Sequence, residues 1–376
     1  MSGPARHVAI LLPDLKGGGT QRVATTLANA LFERGWRVDV ISLRWRTSFF
    51  PLDARIEPID LSGDLVDARG LVRRLRGALR RWSRWRRYLR EQRPDVVLAM
   101  LPLANVMAVF GTRGMDVPVV ISERNDPAVQ RLRADWEWLR RRTYRRADVV
   151  TANSAGALAT IARAAPAARQ VLVPNAVNVP TTVAPLASER PWFAAVGRLN
   201  RQKAFDVLLE AFARIAARVP DWDLRIAGTG PEAGALAAQA TRLGIADRVH
   251  WHGQLEDPFP LLAGAGALVL PSRHEGVPNA MLEAMALGRA VIVSDASSGP
   301  LEYVTDGANG RVVAVDAAAD LATVMAELAD DPALRARLGA AARERVASLR
   351  PDAITEQWMA VLDAACVGDR PEAGHG

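Results

Sequence analysis

The chain has very little cysteine and no long hydrophobic run. Its only cysteine, Cys366, excludes an internal disulfide and a metal site built on several thiolates. The best candidate for a membrane span, residues 261–270, is shorter than the roughly 18 residues required and contains two glycines. The apolar stretch at residues 8–12 is also too short for a signal peptide. These absences predict a cytoplasmic protein with no spanning segment.

Lysine is almost as rare as cysteine, and the charge is distributed unevenly. Lys16 and Lys203 are the two lysines, against 46 arginines. Residues 1–180 contain 30 Lys and Arg against 16 Asp and Glu, a net charge of +14, whereas residues 181–376 contain 18 against 25, a net charge of −7. The two halves are therefore expected to face different electrostatic partners.

Short β-branched runs alternate with helical patterns along the chain, which is typical of βαβ units and parallel sheets. With 376 residues, this pattern predicts an α/β protein of two doubly wound, Rossmann-like domains that bind a ligand in a cleft between them. We predict an N-terminal domain at residues 1–180, a C-terminal domain at 181–352 that begins with a linker at 181–191, a helix at 353–366 that could belong to either domain, and a disordered tail at 367–376. Strands are expected at residues 7–13, 37–43, 96–100, 119–123, 149–153, 171–174, 193–196, 224–227, 249–251, 267–270, 291–294 and 312–315.

A glycine triplet, Gly17 to Gly19, follows the first predicted strand and precedes a helix expected to begin near Thr20. Glycines allow the backbone to approach a ligand closely, and the amides of a helix N-terminus can bind a phosphate. The spacing is not the GxGxxG pattern of dinucleotide-binding proteins. A simple tight turn remains the alternative interpretation.

The second half carries more specific motifs. Arg198 follows a predicted strand, and Lys203 opens the next helix. Two cations so placed can bind one diphosphate, the arginine as a fork and the lysine as a point charge. Further along, Glu275 lies on a loop after a strand and Glu283 lies in the following helix, where the two carboxylates could bind the hydroxyls of a sugar and a ribose. The alternative for both is a solvated surface acid.

These motifs together resemble family 4 of the retaining glycosyltransferases, which have the two-domain GT-B fold, and in particular a bacterial polysaccharide and glycan-assembly subgroup. The resemblance rests on GGGTQR, GRLNRQKAFDVLLEAF, IAGTGPE, PSRHEGVPNAMLEAMALG and SGPLEYVTDGANG. It implies that Gly18 and Gly19 approach the donor and that no bound metal is needed. It also implies roles in binding or catalysis for a set of residues in the second half: Arg198 and Lys203 at the diphosphate, Glu275 at the sugar, the backbone of Val277, Pro278 and Asn279 at sugar or phosphate, and Glu283 at the ribose.

The acceptor side departs from the family pattern. Many relatives carry a histidine at the end of an N-terminal strand, but here no histidine lies between His7 and His250. The matching strand is followed by Glu123, Arg124 and Asn125, which become candidate acceptor contacts, although helix capping is an alternative for Asn125. No metal is assigned, because the DxD-like Asp221-Trp222-Asp223 follows a proline and leads directly into a strand.

The segment from Arg69 to Arg93 contains eleven arginines and one acid. Its leucines recur at helical spacing, so one face of the helix is apolar and the rest is cationic. An anionic membrane would relieve the repulsion among these charges, and tryptophans suit a membrane interface. A core-packed surface helix with a solvated side is the alternative, and nucleic acid is not expected as a partner. The candidate membrane residues are Arg73, Arg76, Arg80, Trp82, Arg84, Trp85 and Arg87.

The function predicted from these features is transfer of a hexose or N-acetylhexosamine from a nucleoside diphosphate sugar, expected to be UDP-linked, to a lipid-linked saccharide in polysaccharide biosynthesis. The enzyme would be metal-independent, without a cofactor, and held peripherally at the inner face of the cytoplasmic membrane. Two alternatives stay open at this point. One is a sugar-nucleotide epimerase or a phosphorylase of similar shape, and the other is a catalytically silent sugar-nucleotide sensor that docks on membranes.

Overall fold

The computed structural model describes residues 5–44, 47–62, 71–130 and 132–367, with only the backbone described for residues 71–75. These residues form two compact domains that divide after Pro174, and the segment 352–367 belongs to the first domain. The boundary predicted from the sequence, residue 180, lies six residues further along the chain. The C-terminal helix, which could not be assigned from sequence, therefore returns to the first domain.

A seven-stranded parallel sheet forms the centre of the first domain. Its strands are β1 (His7–Leu12), β2 (Arg37–Ser42), β3 (Ile59–Asp60), β4 (Val96–Met100), β5 (Val119–Glu123), β6 (Val149–Ala152) and β7 (Arg169–Leu172). The spatial order is β3-β2-β1-β4-β5-β6-β7. Every residue of β1, β4 and β5 is buried, as expected where helices cover both faces of a parallel sheet.

The helices of the first domain fill the connections between these strands. They are α1 (Gly19–Glu33), α2 (Leu71–Gln92), α3 (Pro102–Gly111), α4 (Ala134–Tyr144) and α5 (Ala155–Ala164). One face of the sheet packs against α2, α3, α4 and α5 in a single hydrophobic core. The order of the strands reverses between β1 and β4, and ligands of doubly wound sheets bind outside the carboxyl ends of the strands at such a point.

The second domain repeats this plan with six parallel strands. They are β8 (Trp192–Val196), β9 (Asp223–Ala227), β10 (Val249–Trp251), β11 (Ala267–Leu270), β12 (Ala290–Ser294) and β13 (Arg311–Val313). Their order is β10-β9-β8-β11-β12-β13, so the reversal falls between β8 and β11. The loops after β8 and β11 are therefore the ones expected to meet a ligand.

The second-domain sheet is also covered by helices. They are α6 (Phe205–Ile215), α7 (Ala233–Arg242), α8 (Phe259–Ala263), α9 (Asn279–Ala286), α10 (Ser298–Leu301), α11 (Ala318–Asp330) and α12 (Pro332–Arg345). The last helix of the chain, α13 (Pro351–Val367), extends into the first domain. Arg34 of α1 joins it there through ion pairs with Asp352 and Glu356.

The prediction of two doubly wound parallel-sheet domains is confirmed. All twelve predicted strands are present within two residues at each end, and β3 is the strand that sequence reasoning missed. Val367, placed in the tail by the prediction, ends α13, and the remainder of the predicted tail, 368–376, lies outside the described residues. Among the described helices, none is both long enough and apolar enough to cross a membrane.

Candidate functional site

The loop after β8 is shaped by close backbone contacts that only glycine permits. Gly228, after β9, has a φ of +143°, and a Cβ there would lie 1.8 Å from the carbonyl oxygen of Gly197. A Cβ on Gly230 would lie 2.2 Å from the carbonyl oxygen of Leu199. The turn at residues 228–230 therefore supports the loop that carries Arg198 by direct backbone packing. The side chain of Arg198 is exposed.

A short 3-10 turn at Arg201–Lys203 fixes the second cation. Asn200 caps this turn, with its side chain accepting a hydrogen bond from the backbone N–H of Lys203. Ala204, in the left-handed region at φ 52°, then redirects the chain into α6. The Lys203 side chain folds back over Gly197, where a Cβ would lie 2.9 Å from Lys203 Cε. The glycine leaves room for the lysine methylenes.

Lys203 reaches the loop that follows β11. Its Nζ lies 2.5 Å from Oε1 of Glu275, and the two side chains are only 16% and 9% exposed. The Ser272 hydroxyl donates to the same oxygen at 2.6 Å. Removing one partner of such a shielded pair leaves the other uncompensated, which typically costs about 3–5 kcal/mol when the pair is fully buried. The structure thus brings together two residues that lie 72 positions apart in sequence.

Several hydrogen bonds hold the Glu275 loop rigid. The backbone N–H of Glu275 donates to Ser297 Oγ at 3.1 Å, and Ser294 Oγ donates to the carbonyl of Ser272 at 2.5 Å. Gln202, beside Lys203, donates to the carbonyl of His274 at 3.0 Å. Sequence reasoning did not identify these serines, because a small hydroxyl residue next to a strand carries no distinctive pattern.

Ion pairs of Arg273 with Asp206 and Asp316 connect this loop to neighbouring elements. Both amino groups of the Arg273 guanidinium donate to the Asp206 carboxylate, at 3.0 and 2.8 Å, and Nε lies 2.7 Å from Asp316 Oδ1. The Asp206 hydrogen bonds are the largest cause that raises the pKa of Arg273. For Asp206, burial acts to raise its pKa, but the arginine outweighs it and the pKa falls below the usual value. The loop is therefore tied to α6 by charge.

The pKa of His274, which lies in this loop, is lower than that of an exposed histidine. Burial is the largest cause that lowers the pKa of His274, and nearby Lys203 lowers it further while Glu275 opposes them. A neutral His274 is therefore favoured near neutral pH.

The helix α9 begins directly after this loop, and contacts made by Asn175 and Gly299 hold its start in place. Asn175 donates from Nδ2 to the Val277 carbonyl at 2.9 Å and to Asn279 Oδ1 at 2.5 Å. A Cβ on Gly299 would lie 2.0 Å from the carbonyl oxygen of Gly276, so α10 packs directly on the loop backbone. Pro278 precedes the helix in an extended conformation. Asn175, like the serines of the Glu275 loop, was not identified from the sequence.

Glu283 lies in the second turn of α9 and is only 6% exposed. It therefore does not fit the interpretation as a solvated surface acid. Glu275, at 7% exposure, does not fit that interpretation either. Lys203 and Glu275 are in contact, and Arg198 lies on the adjoining loop. The role of Glu283 in donor binding stays a prediction.

In the first domain the glycine triplet leads into α1, as predicted. The helix begins at Gly19, one residue before the predicted start at Thr20. Gly18 directly precedes the helix in an extended conformation and Gly19 is its first residue, without a side-chain cap. Asp14 instead accepts from Lys16 N–H at 3.2 Å and from Gln21 at 3.0 Å. Amides at a helix N-terminus can bind an anion, and the contact of Gly18 and Gly19 with the donor stays a prediction.

The predicted acceptor residue Glu123 is fully buried, so the structure does not support direct contact between its side chain and an acceptor. Its carboxylate accepts a hydrogen bond from the Tyr144 hydroxyl. Burial is the largest cause that raises the pKa of Glu123, and the Tyr144 hydrogen bond and Arg140 oppose the rise. Arg124 is 6% exposed and burial lowers its pKa to about 10. Asn125 is half-buried.

Around Glu123 the first domain contains a buried polar network that the sequence did not reveal. Arg140 of α4 donates to Glu137 at 2.5 Å and to the Pro127 carbonyl at 3.3 Å, which ties α4 to the loop after β5. Glu123 Oε1 is buried without a hydrogen-bond partner among the described residues, and Asn153, which directly follows β6, is also buried. This network lies at the carboxyl ends of β5 and β6.

The structure corrects one predicted membrane residue and qualifies another. Trp85 is completely buried in the core, where it stacks on Tyr88 with ring centroids 5.5 Å apart and donates to the Met107 carbonyl at 3.0 Å. Helical periodicity had indicated an apolar face but not that Trp85 belongs to it. Trp82 is half-buried, and the side chain of Arg73 lies outside the described residues. The exposed arginines of the predicted set are Arg76, Arg80, Arg84 and Arg87.

Within the described residues, no group of three His, Cys, Asp or Glu side chains could hold a metal ion. In the DxD-like segment, Asp223 begins β9 and its carboxylate lies 3.0 Å from Arg190 and 3.2 Å from His250. Trp222 is buried in the core. This aspartate has a structural role at the start of a strand.

Comparison with known proteins assigns both halves of the chain to described families. Residues 17–180 match the model "Glycosyltransferase Family 4", and residues 182–345 match the model "Glycosyl transferases group 1". Two curated relatives match over nearly the whole length. The chain is 24% identical to the GalNAc-alpha-(1->4)-GalNAc-alpha-(1->3)-diNAcBac-PP-undecaprenol alpha-1,4-N-acetyl-D-galactosaminyltransferase of Campylobacter jejuni, over 94% of this chain and 98% of the relative. It is 28% identical to the lipopolysaccharide core biosynthesis glycosyltransferase LpsD of Rhizobium meliloti, over 92% and 95%.

Solved structures with the same fold match at low sequence identity. The sucrose-phosphate synthase of Thermosynechococcus elongatus superposes with a TM-score of 0.83 at 20% identity, covering 96% of this chain and 99% of that one. Anabaena HepE in complex with UDP and glucose superposes with a TM-score of 0.78 at 18% identity, covering 96% and 100%. At such identities the likeness concerns the fold alone.

Proposed function

Because this chain belongs to family 4 of the glycosyltransferases, with the GT-B fold, we propose that it transfers a hexose or N-acetylhexosamine from a UDP-sugar, with retention of configuration, to a lipid-linked saccharide. The observation that carries the proposal is the pairing of Lys203 with Glu275 at 2.5 Å. The pair forms where the loops after β8 and β11 meet, at the reversal of the strand order. The family membership favours a transferase over the epimerase, phosphorylase and sensor alternatives.

The donor diphosphate would bind between Arg198 and Lys203. Arg198 is exposed and makes no salt bridge with another described residue, so its guanidinium is available for a phosphate. Lys203 is fixed by its turn and by Gly197. Fixed cations stabilise the charge that develops on a departing diphosphate without having to reorganise during the reaction. UDP as the nucleotide is supported by Anabaena HepE, a protein of the same fold that is seen in complex with UDP.

Donor binding would rearrange the Lys203 and Glu275 pair. A diphosphate carries more negative charge than one carboxylate, so it would draw the ammonium of Lys203 toward itself. Glu275 would then be free to accept hydrogen bonds from the sugar hydroxyls while its backbone N–H stays bonded to Ser297. Glu283 would bind the ribose from α9, and the backbone of Val277 to Asn279 would contact sugar or phosphate. Gly18 and Gly19 would approach the donor from the first domain.

Retention is proposed as a substitution on one face of the sugar. The bond from the anomeric carbon to the diphosphate oxygen breaks, the bond to the acceptor oxygen forms, and the acceptor proton passes to the departing diphosphate. This route needs no side-chain base. Its support in this chain is that Glu123, the acid at the end of β5, is buried and bonded to Tyr144.

The acceptor is proposed to be a lipid-linked saccharide, as in the name of the Campylobacter relative. Arg124 and Asn125 follow β5 at the carboxyl edge of the first sheet and remain the candidate acceptor contacts. Glu123 would act on the acceptor only indirectly, by holding this segment in place.

Peripheral binding at the inner face of the cytoplasmic membrane is proposed through α2. Arg76, Arg80, Arg84 and Arg87 are exposed on this helix, and each arginine near an anionic surface contributes about 1 kcal/mol. Such binding weakens with salt, because screening shortens the range of the attraction. Changing Arg73, Arg76, Arg80, Arg84 and Arg87 to Gln is expected to abolish co-sedimentation with anionic vesicles at low salt. Equal sedimentation of this variant and the wild type would refute the role of α2.

The transferase function is tested by a screen of nucleoside diphosphate sugars that measures nucleotide release, with membrane extract as the acceptor. We expect release from a UDP-sugar in the wild type and its loss in Arg198→Ala. The matched control is Arg201→Ala, since Arg201 is also exposed and lies in the same loop region. Equal loss in both variants, or release that does not depend on the extract, would contradict the proposal.

Two further measurements address the reaction itself. The configuration of the new glycosidic bond, read from the anomeric proton coupling of the product, is expected to match that of the donor. Activity is expected to persist in a chelator, because two basic side chains already neutralise the diphosphate. Loss of activity that magnesium or manganese restores would refute metal independence.

A further inference from the structure

The helix α4 carries a tryptophan that is exposed to solvent. Trp138 is 59% exposed, the most exposed aromatic side chain among the large hydrophobic residues of the described chain. Val129, on the loop before this helix, is 39% exposed. A single exposed hydrophobic residue is common on protein surfaces, so the significance of Trp138 depends on the charges around it.

The charged residues that follow Trp138 in α4 and at its end are all arginines. Arg141, Arg142 and Arg145 lie three, four and seven positions after Trp138 and therefore share its face. All three are exposed, as is Arg146. The Arg142 guanidinium lies over the Trp138 ring, 5.3 Å from its centroid. We refer to these five residues as the α4 patch.

The opposite face of α4 is occupied by other contacts, which leaves the patch free. Arg140 and Tyr144 point inward, the former to Glu137 and the latter to Glu123. The acids of the helix are also engaged, since Glu137 pairs with Arg140 and Asp135 pairs with Arg133 at 3.2 Å. The cations of the patch therefore meet repulsion without compensation from acids of their own helix. Desolvation and the neighbouring Arg142 and Arg113 lower the pKa of Arg146.

The patch continues toward α2 across the end of α3. Arg146 lies over the Phe110 ring of α3, 5.9 Å from its centroid. The turn after α3 accepts hydrogen bonds from Arg86 of α2, at the carbonyls of Gly111 and Arg113, 3.2 and 3.0 Å away. Since α2, α3 and α4 pack on the same face of the sheet, the exposed arginines of α2 and α4 lie on the same side of the first domain. On α2, however, Trp85 points into the core.

We infer that the α4 patch is the anchor that inserts into an anionic lipid bilayer, with Trp138 in the headgroup region and its four arginines on lipid phosphates, while α2 contributes long-range attraction. Tryptophan prefers the membrane interface because its ring is apolar and its N–H is polar. Arginine binds phosphate in a fork. The inference rests on the proposed action on a lipid-linked acceptor. Nucleic acid, which also binds arginine and aromatic side chains, is treated as a rival outcome.

The experiment measures binding of the full chain to vesicles of phosphatidylcholine alone and of phosphatidylcholine with phosphatidylglycerol. Trp138→Ala is expected to lower the partition coefficient on the anionic vesicles about tenfold, equivalent to about 1.4 kcal/mol. Trp251→Ala is the matched control, since Trp251 is 37% exposed but lies in the second domain, and it should bind as the wild type does. Thermal unfolding of both variants should match the wild type, because neither ring is in a core.

A second readout reports insertion directly. Vesicles with brominated acyl chains quench tryptophan fluorescence at short range, and the quenched fraction is expected to fall in Trp138→Phe and to stay unchanged in Trp251→Phe. Wild-type binding in Trp138→Ala, with loss only in the α2 arginine variant, would overturn the inference and leave membrane association through α2 standing. No vesicle binding by the wild type would overturn both. Competition by duplex DNA, with no quenching by brominated lipid, would assign the patch to nucleic acid instead.

Discussion

The two domains share a strand order but differ in what their carboxyl edges and outer helices carry. In the second domain, the loops at the reversal of strand order place Lys203 in contact with Glu275. The ion pair of Arg273 with Asp206 holds these loops in position. In the first domain the corresponding edge has a glycine turn before α1 and a buried acid, Glu123, at the end of β5. The second domain thus presents a fixed ion pair at the edge of its sheet, and the first presents an arginine-rich exterior.

Under the proposed function, donor recognition would depend on fixed geometry, and membrane attachment would depend on the sum of many charges. Losing one contact should therefore have a large effect in the second domain. Single arginine changes on α2 should each have a small effect in the first, because each contributes only about 1 kcal/mol near an anionic surface.

The largest effect is expected from Lys203→Ala. Loss of one fixed cation at the departing diphosphate should lower turnover by roughly 30- to 1,000-fold, equivalent to about 2–4 kcal/mol. Because Glu275 loses its partner as well, the thermal midpoint should also fall, and turnover should be compared at a temperature where both proteins are folded. Wild-type turnover in this variant would contradict the donor assignment.

The next effect concerns the backbone contact between Gly299 and Gly276. A methyl group at Gly299 would collide with the Gly276 carbonyl, so Gly299→Ala should destabilise the second domain by about 1–3 kcal/mol and lower turnover. Gly234→Ala is the control, since a Cβ there meets nothing within 4 Å. Denaturant unfolding of both variants checks this prediction. Equal stability of the two would show that the loop tolerates the shift.

A smaller and more selective effect should separate the two glutamates. Glu283→Gln is expected to raise the donor KM about tenfold with little change in kcat, because it would remove ribose binding. Glu275→Gln is expected mainly to lower kcat, because it would remove an interaction with the sugar in the transition state. Steady-state kinetics with varied donor measures both. The reverse pattern would exchange the assigned roles.

The smallest effect is expected in the first domain and depends on pH. Burial raises the pKa of Glu123 in the folded protein. Its contribution to stability is therefore fully present below its unfolded pKa and is lost as the pH rises through the higher folded pKa. The free energy of unfolding of the wild type, minus that of Glu123→Gln, should fall as the pH is raised from about 4 to 8. A difference that does not fall over this pH range would contradict the prediction.

The sequence predicted the fold well because the strands are short apolar runs between helical patterns. β3 was missed because a strand of two residues, Ile59 and Asp60, is too short to show an alternation of apolar and polar residues. Sequence also placed Lys203 and Glu275 on the correct loops, yet their contact depends on the neighbouring positions of β8 and β11, which no local pattern encodes.

The first domain was harder to predict because its side chains could face in either direction. Trp85 and Trp138 are both tryptophans in arginine-rich helices, but the first is in the core and the second is 59% exposed. Glu123 follows a strand as a ligand-binding acid would, and Tyr144, 21 residues later, turns it inward. Orientation at a helix or strand end depends on tertiary neighbours, which a single sequence does not reveal.

The central claim, that Arg198 and Lys203 bind the donor diphosphate, is tested most directly by calorimetric titration with UDP and UMP. The wild type should bind UDP more tightly than UMP, and Lys203→Ala and Arg198→Ala should each reduce that preference about tenfold or more, the scale of a hydrogen bond to a charged group. Arg201→Ala should retain the full preference. An undiminished preference for UDP in Lys203→Ala and Arg198→Ala would contradict the account.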